Sequence, residues 1–199
     1  MQVPVNVYAE MTPNPATMKF VANKYILINN ESVEFTNGND AKGYSPLALE
    51  LFNFPFVKGV YMSSNFVTIT KDASIPWDYI TMEIREFIRE WITDGKEVLT
   101  KVPDAKPLPV QDENAPKKEY LPSEYDDAIR SLLDEHIRGA VEQDGGAIDF
   151  RSFEDGVVTV LLKGSCAGCP SSTVTLKNGI ENILKQHLPA VKEVVAENA

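Results

Sequence analysis

The chain has two cysteines, and they stand together as Cys166-Ala167-Gly168-Cys169. Thiolates act as nucleophiles, redox centres and metal ligands, and a pair at this spacing can turn both sulfurs on one target. The neighbours are small: Gly164 and Ser165 precede the pair, Ala167 and Gly168 lie within it, and Pro170 follows at once. Residues 157–162 form an apolar run that reads as a strand, while Leu176, Ile180, Ile183, Leu184 and Leu188 recur at helical spacing. The thiols are therefore expected on a strand-to-helix turn, with Pro170 in the first helical turn, where its missing N–H is harmless. The unpaired N–H groups and positive dipole end at a helix start stabilise thiolate and lower its pKa.

Four uses of such a pair compete. Plain burial suits a lone cysteine better than a pair on a turn rich in Gly and Ser. Thiol–disulfide exchange uses the same strand, Cys-x-x-Cys, helix order, although here the pair comes late in its domain and lacks aromatic neighbours. A structural zinc site needs four ligands. His136 and His187 could complete one, but neither has finger-like spacing to the cysteines, and both read as helix-surface residues. An iron–sulfur cluster is held by four thiolates. One chain supplies two, so two copies meeting at their cysteine loops would share a single cluster across a two-fold axis.

The rest of the chain must position that turn. Its 199 residues suit two small domains, and 43% apolar with 24% charged residues is ordinary for a globular protein. Lys and Arg number 19 against 29 Asp and Glu, a net charge of −10 with no basic cluster, which argues against a nucleic-acid partner. No apolar run is long enough to span a bilayer, so no membrane association is expected. Sparse cysteine use and the absence of a visible leader lead to an expected cytoplasmic location.

Residues 1–100 read as a first domain. Thr12-Pro13-Asn14-Pro15 marks a turn, and strands are expected over 18–21, 24–28 and 32–36, with a turn at Asn37-Gly38. Ser45-Pro46 opens a helix as N-cap and first residue, carrying Leu47, Leu51 and Phe54. A hairpin over 57–70 precedes a longer helix from Pro76 to Asp94-Gly95, with Ile80, Ile84, Phe87, Ile88 and Trp91 on one stripe. Residues 101–122 hold five of the chain's 13 prolines and read as an extended linker. Residues 123–199 read as a second domain in the order helix, strand, strand, helix, strand. Ser123 caps its first helix, which carries Ile129, Leu133, Ile137 and Val141. Gly145-Gly146 stops that helix, Asp155-Gly156 turns the hairpin, and a strand at 191–195 closes the domain. The fold class is α+β: two small α/β sandwiches joined by a Pro-rich linker.

The run from Gly164 through Cys166-Ala167-Gly168-Cys169-Pro170-Ser171-Ser172 to Glu181 resembles the C-terminal domain of NifU-like (Nfu) iron–sulfur cluster scaffold proteins. Asp144-Gly145-Gly146 and the segment 188–194 are similar to it too, while Ala147 departs from an acidic residue usual there. Thr12-Pro13-Asn14-Pro15, Ser45-Pro46-Leu47-Ala48 and Phe66-Val67-Thr68-Ile69-Thr70-Lys71 resemble the family's N-terminal Nfu domain. The resemblance implies an iron-binding scaffold or carrier without substrate turnover, so not an enzyme. It implies a 4Fe-4S cluster, in preference to 2Fe-2S, bound by Cys166 and Cys169 of two subunits. Upstream assembly scaffolds would supply the cluster and apo iron–sulfur proteins receive it. From the residues themselves, Ser171 or Ser172 serve either as donors to the sulfurs or as plain helix-start residues, and the first domain either docks recipients and regulates release or is a passive folding module.

Overall fold

A computed structural model describes residues 4–28, 31–103, 122–167 and 170–198. The chain divides into two compact units, Met1–Asp104 and Ala105–Ala199. Residues 104–121, most of the expected linker, lie outside the described residues.

In the first unit, β1 (Val7–Met11), β2 (Thr17–Ala22), β3 (Ser32–Phe35), β4 (Val57–Ser63) and β5 (Phe66–Lys71) form one antiparallel sheet in the order β1-β2-β5-β4-β3. The turn from β1 to β2 is built on Asn14, whose side chain accepts from the Ala16 N–H at 3.0 Å while its carbonyl accepts from Thr17 N–H at 2.9 Å. Helix α1 (Gly38–Ala41) starts where a bare turn was expected, because the Asn37 side chain accepts from Asp40 N–H and caps it. Ser45 caps α2 (Pro46–Leu51) by accepting from Ala48 N–H at 3.0 Å, and its hydroxyl donates to the Val98 carbonyl at 2.6 Å. Helix α3 (Trp77–Thr93) buries Ile80, Ile84, Ile88 and Ile92, four residues apart, against the sheet residues Met18, Phe20, Val67 and Ile69. Phe87 and Trp91 only flank that core, with Phe87 edge-on to Phe54 at 5.3 Å.

Segment 24–28 is not the strand its apolar residues predicted. Ile26 and Leu27 both donate their N–H groups to the Ser64 carbonyl, so they serve one β4–β5 turn and make no ladder. Leu27 is buried, but Tyr25 and Ile28 are 76% and 72% exposed. Lys24 donates to the Ile92 carbonyl at the end of α3, which satisfies one terminal acceptor.

The second unit begins with α4 (Asp126–Leu133), a π-helical turn at Asp134–Arg138, and α5 (Gly139–Gln143). Ser123 does not cap the helix. Its hydroxyl accepts from Tyr125 N–H at 3.2 Å, closing a turn just outside, and Tyr125 takes the cap position with no side-chain bond. Asp126 and Asp127 in the first turn offset the exposed helix start instead. Ile129, Leu133, Ile137 and Val141 stay buried across the π turn, so the widened helix keeps one face on the sheet.

Strands β6 (Gly146–Glu154) and β7 (Val157–Gly164) form a hairpin through Asp155 and Gly156, both with positive φ, 52° and 90°. β7 alternates in burial, turning Val158, Val160 and Leu162 to the core. Helix α6 (Pro170–His187) crosses back with Ile180 and Leu184 buried, and β8 (Glu193–Asn198) joins β7 in parallel. The sheet order is β6-β7-β8. Glu181 of α6 accepts from the Val194 N–H at 3.1 Å and so ties the crossover helix to the strand that follows it. Among the described residues, no helix is long and apolar enough to cross a membrane.

Candidate functional site

The core-facing strand β7 delivers the chain to the thiols. Gly164, its last residue, has φ 63°, and the backbone turns sharply through Ser165, Cys166 and Ala167. Ser165 fixes the turn twice. Its N–H donates to the Gly145 carbonyl at 3.2 Å, and its hydroxyl donates to the Asp144 carbonyl. Ala167 N–H donates back to the Gly164 carbonyl at 3.2 Å. The loop that carries Cys166 is thus pinned to the turn that ends α5, and Ser165 itself is 2% exposed.

Cys166 sits on this turn and is buried, at 7% exposure, with its Sγ 3.9 Å from Ser165 Oγ. Gly146 lies behind it. A Cβ built there would stand 2.7 Å from Cys166 Sγ, 2.7 Å from the Lys163 carbonyl oxygen and 3.1 Å from Cys166 N. The sulfur occupies the space that any side chain at 146 would need. Helix α6 begins four residues after Cys166, at Pro170, so the helix start expected beside the thiols is where the sequence puts it. Its first N–H groups carry the partial positive charge that favours thiolate and anionic clusters. The second cysteine, Cys169, lies outside the described residues, as do the side chains of Ser171 and Ser172.

The two histidines do come together, though not at the thiols. The His136 and His187 rings stack with centroids 5.4 Å apart and planes at 21°. His187 is the last residue of the 18-residue α6, and Cys166 lies beyond its other end. A helix that long spans about 27 Å, so one subunit cannot hold a single zinc ion between Cys166 and these histidines. Among the described residues, no group of three or more His, Cys, Asp or Glu side chains is placed to hold a metal ion. By sequence, Cys166 and Cys169 supply two of the four thiolates that hold an iron–sulfur cluster.

Sequence reasoning located the thiol turn but missed its support. Gly145-Gly146 read as a helix stop, and nothing in the sequence pattern showed that Gly146 backs Cys166 across the sheet. The signal available was the second glycine itself. One glycine ends a helix, and a second at the start of a strand marks a close approach.

Both units match family models: the model described as "Scaffold protein Nfu/NifU N terminal" over residues 7–95 and the "NifU-like domain" over residues 129–195. The protein described as "NFU1 iron-sulfur cluster scaffold homolog, mitochondrial" from Homo sapiens is 35% identical, over 94% of this chain and 70% of that protein. The chain belongs to the Nfu family of iron–sulfur cluster scaffold proteins.

The Nfu relative of the same description from Drosophila sechellia is 37% identical over 94% of this chain, and the chain spans 63% of its length. Among solved structures, a NifU-like protein from Saccharomyces cerevisiae aligns at 25% identity with a TM-score of 0.45, over 50% of this chain and 88% of that one. The Nfu relatives are mitochondrial by name, and this overturns the cytoplasmic location expected from the sequence. Sparse cysteines indicate only a reducing environment, a property that does not belong to one compartment.

Proposed function

We propose that this chain accepts one 4Fe-4S cluster on Cys166 and Cys169 of two copies and passes it to apo iron–sulfur proteins, without turning over a substrate. The observation that carries this reading is the place of Cys166. It sits on a pinned strand-to-helix turn, beside a glycine seat, in the unit that matches the NifU-like domain. The charge logic agrees. A cluster held by four thiolates is anionic, and the start of α6 puts positive partial charge beside the loop. A homodimeric site of two halves also opens without unfolding either chain, which suits a donor. Residues 1–100 dock the recipient or the upstream assembly scaffold, residues 101–122 link them to the cluster-binding residues 123–199, and the work is done in mitochondria, a reading supported by the names of the relatives.

Anaerobic incubation with ferrous iron, sulfide and reductant tests the reading. The full chain should turn brown, show the absorption of a four-iron cluster, and lose it on transfer to an apo four-iron protein. Cys166→Ser and Cys169→Ser should each remain colourless. A colourless native chain that instead cycles between dithiol and disulfide with a protein substrate would establish the thiol–disulfide reading of the same pair.

A further inference from the structure

We propose that Gly146 is a positioning residue for Cys166: by carrying no side chain it forms the seat in which the thiol is sheltered until a cluster is offered. The cluster clause rests on the function proposed above, while the seat itself rests on geometry alone. Gly146 is the first residue of β6 and pairs with Gly164, the last of β7. The two glycines bring the strand ends together directly behind the cysteine turn. The methyl group of an alanine at 146 would fall 2.7 Å from the sulfur, and no backbone adjustment of the turn is easy. The same methyl would fall 2.7 Å from the Lys163 carbonyl, and Ser165 is held to Asp144 and Gly145 on the other side. The sulfur is the only one of these atoms that a single side-chain rotation can move. An added methyl therefore turns the thiol out of its seat.

Sheltering has a chemical consequence. Alkylation and oxidation of a thiol follow its exposure as well as its thiolate fraction. Cys166 is 7% exposed, so a seated sulfur is protected while the chain waits without cargo. A cluster shared with a second copy needs the sulfur outward. Loading then rotates Cys166 away from Gly146, and release lets it return.

The test measures thiol reactivity, with no cluster present, in the full chain carrying Cys169→Ser so that Cys166 is the sole thiol. Iodoacetamide modification is followed by mass, folded and in urea. The folded chain should react at least about tenfold more slowly than the urea-unfolded chain. Gly146→Ala should raise the folded rate by about tenfold with the urea rate unchanged, its circular dichroism still showing a folded second unit. Equal folded and unfolded rates in the glycine chain would overturn the proposal, as would a folded alanine variant that reacts at the glycine rate. Should the variant not fold, the comparison within the glycine chain decides. A chain that fails to load a cluster leaves these rates unaffected, so failure of the functional reading and failure of the seat are separate results.

Discussion

The two units solve different problems with similar parts. The first spreads one broad core over five strands and α3, closes one terminal acceptor of α3 with Lys24, caps its two short helices with Asn37 and Ser45, and holds no cysteine. Among the described residues the second has three strands, and Gly146, Gly164 and Ser165 surround a thiol at one end of its hairpin. Stability is distributed in the first unit, whereas in the second unit the features that set local geometry and those that set chemistry are the same residues. Substitutions should therefore separate stability from loading in one unit and couple them in the other.

The largest expected effect is on the thiols. Cys166→Ser should abolish cluster loading in the iron assay while changing the melting of the first unit little. Next is the core of the first unit. Ile84 is fully buried in α3, and Ile84→Ala should destabilise that unit by about 2–5 kcal/mol. Thermal unfolding would report the loss, and loading on the second unit should persist below the new transition. The same truncation at Ile180, equally buried on α6, should lower stability by about 2–5 kcal/mol and weaken loading with it. A smaller coupled effect is expected at Ser165. Ser165→Ala removes the hydroxyl that donates to Asp144, a loss of about 1 kcal/mol, and urea melts together with the iodoacetamide rate of Cys166 would show both consequences.

The smallest effect is on pH. The Lys185 side chain, then the Val194 N–H, hold the Glu181 carboxyl below its ordinary 4.5. A depressed carboxyl contributes stability that is present above the ordinary value and lost as pH falls through the depressed one. Glu181→Gln should flatten that acid limb in urea melts taken between neutral and acid pH. The ion pair with Lys185 is partly open to water, and solvent screening keeps the difference small.

Legibility in the sequence followed the same division. The helix at Trp77–Thr93 was plain because isoleucines repeat every four residues, and the hairpin at Asp155-Gly156 was plain because few residue pairs accept two positive φ values. The cysteine turn was legible because strand, small residues and proline follow one another without a break. What stayed hidden depended on long-range partners. Segment 24–28 looks apolar enough for a strand, but its N–H groups go to one carbonyl across the sheet. Ser123 has the right chemistry for a cap and sits too far before the helix to serve as one. The stacking of His136 on His187 has no local pattern, and the contact between Gly146 and Cys166 is signalled only by the second glycine of Gly145-Gly146. The location in the cell was not legible at all, since a reducing environment was the only inference the cysteines allowed.

The central claim is that the second unit holds half of a cluster site. Native mass spectrometry of the full chain after anaerobic reconstitution tests it most directly. The account predicts a species of two chains carrying one 4Fe-4S cluster, and a single chain without iron when either cysteine is replaced by serine. A single chain that retains a complete cluster, or a dimer that keeps its cluster in the Cys166→Ser variant, would contradict it.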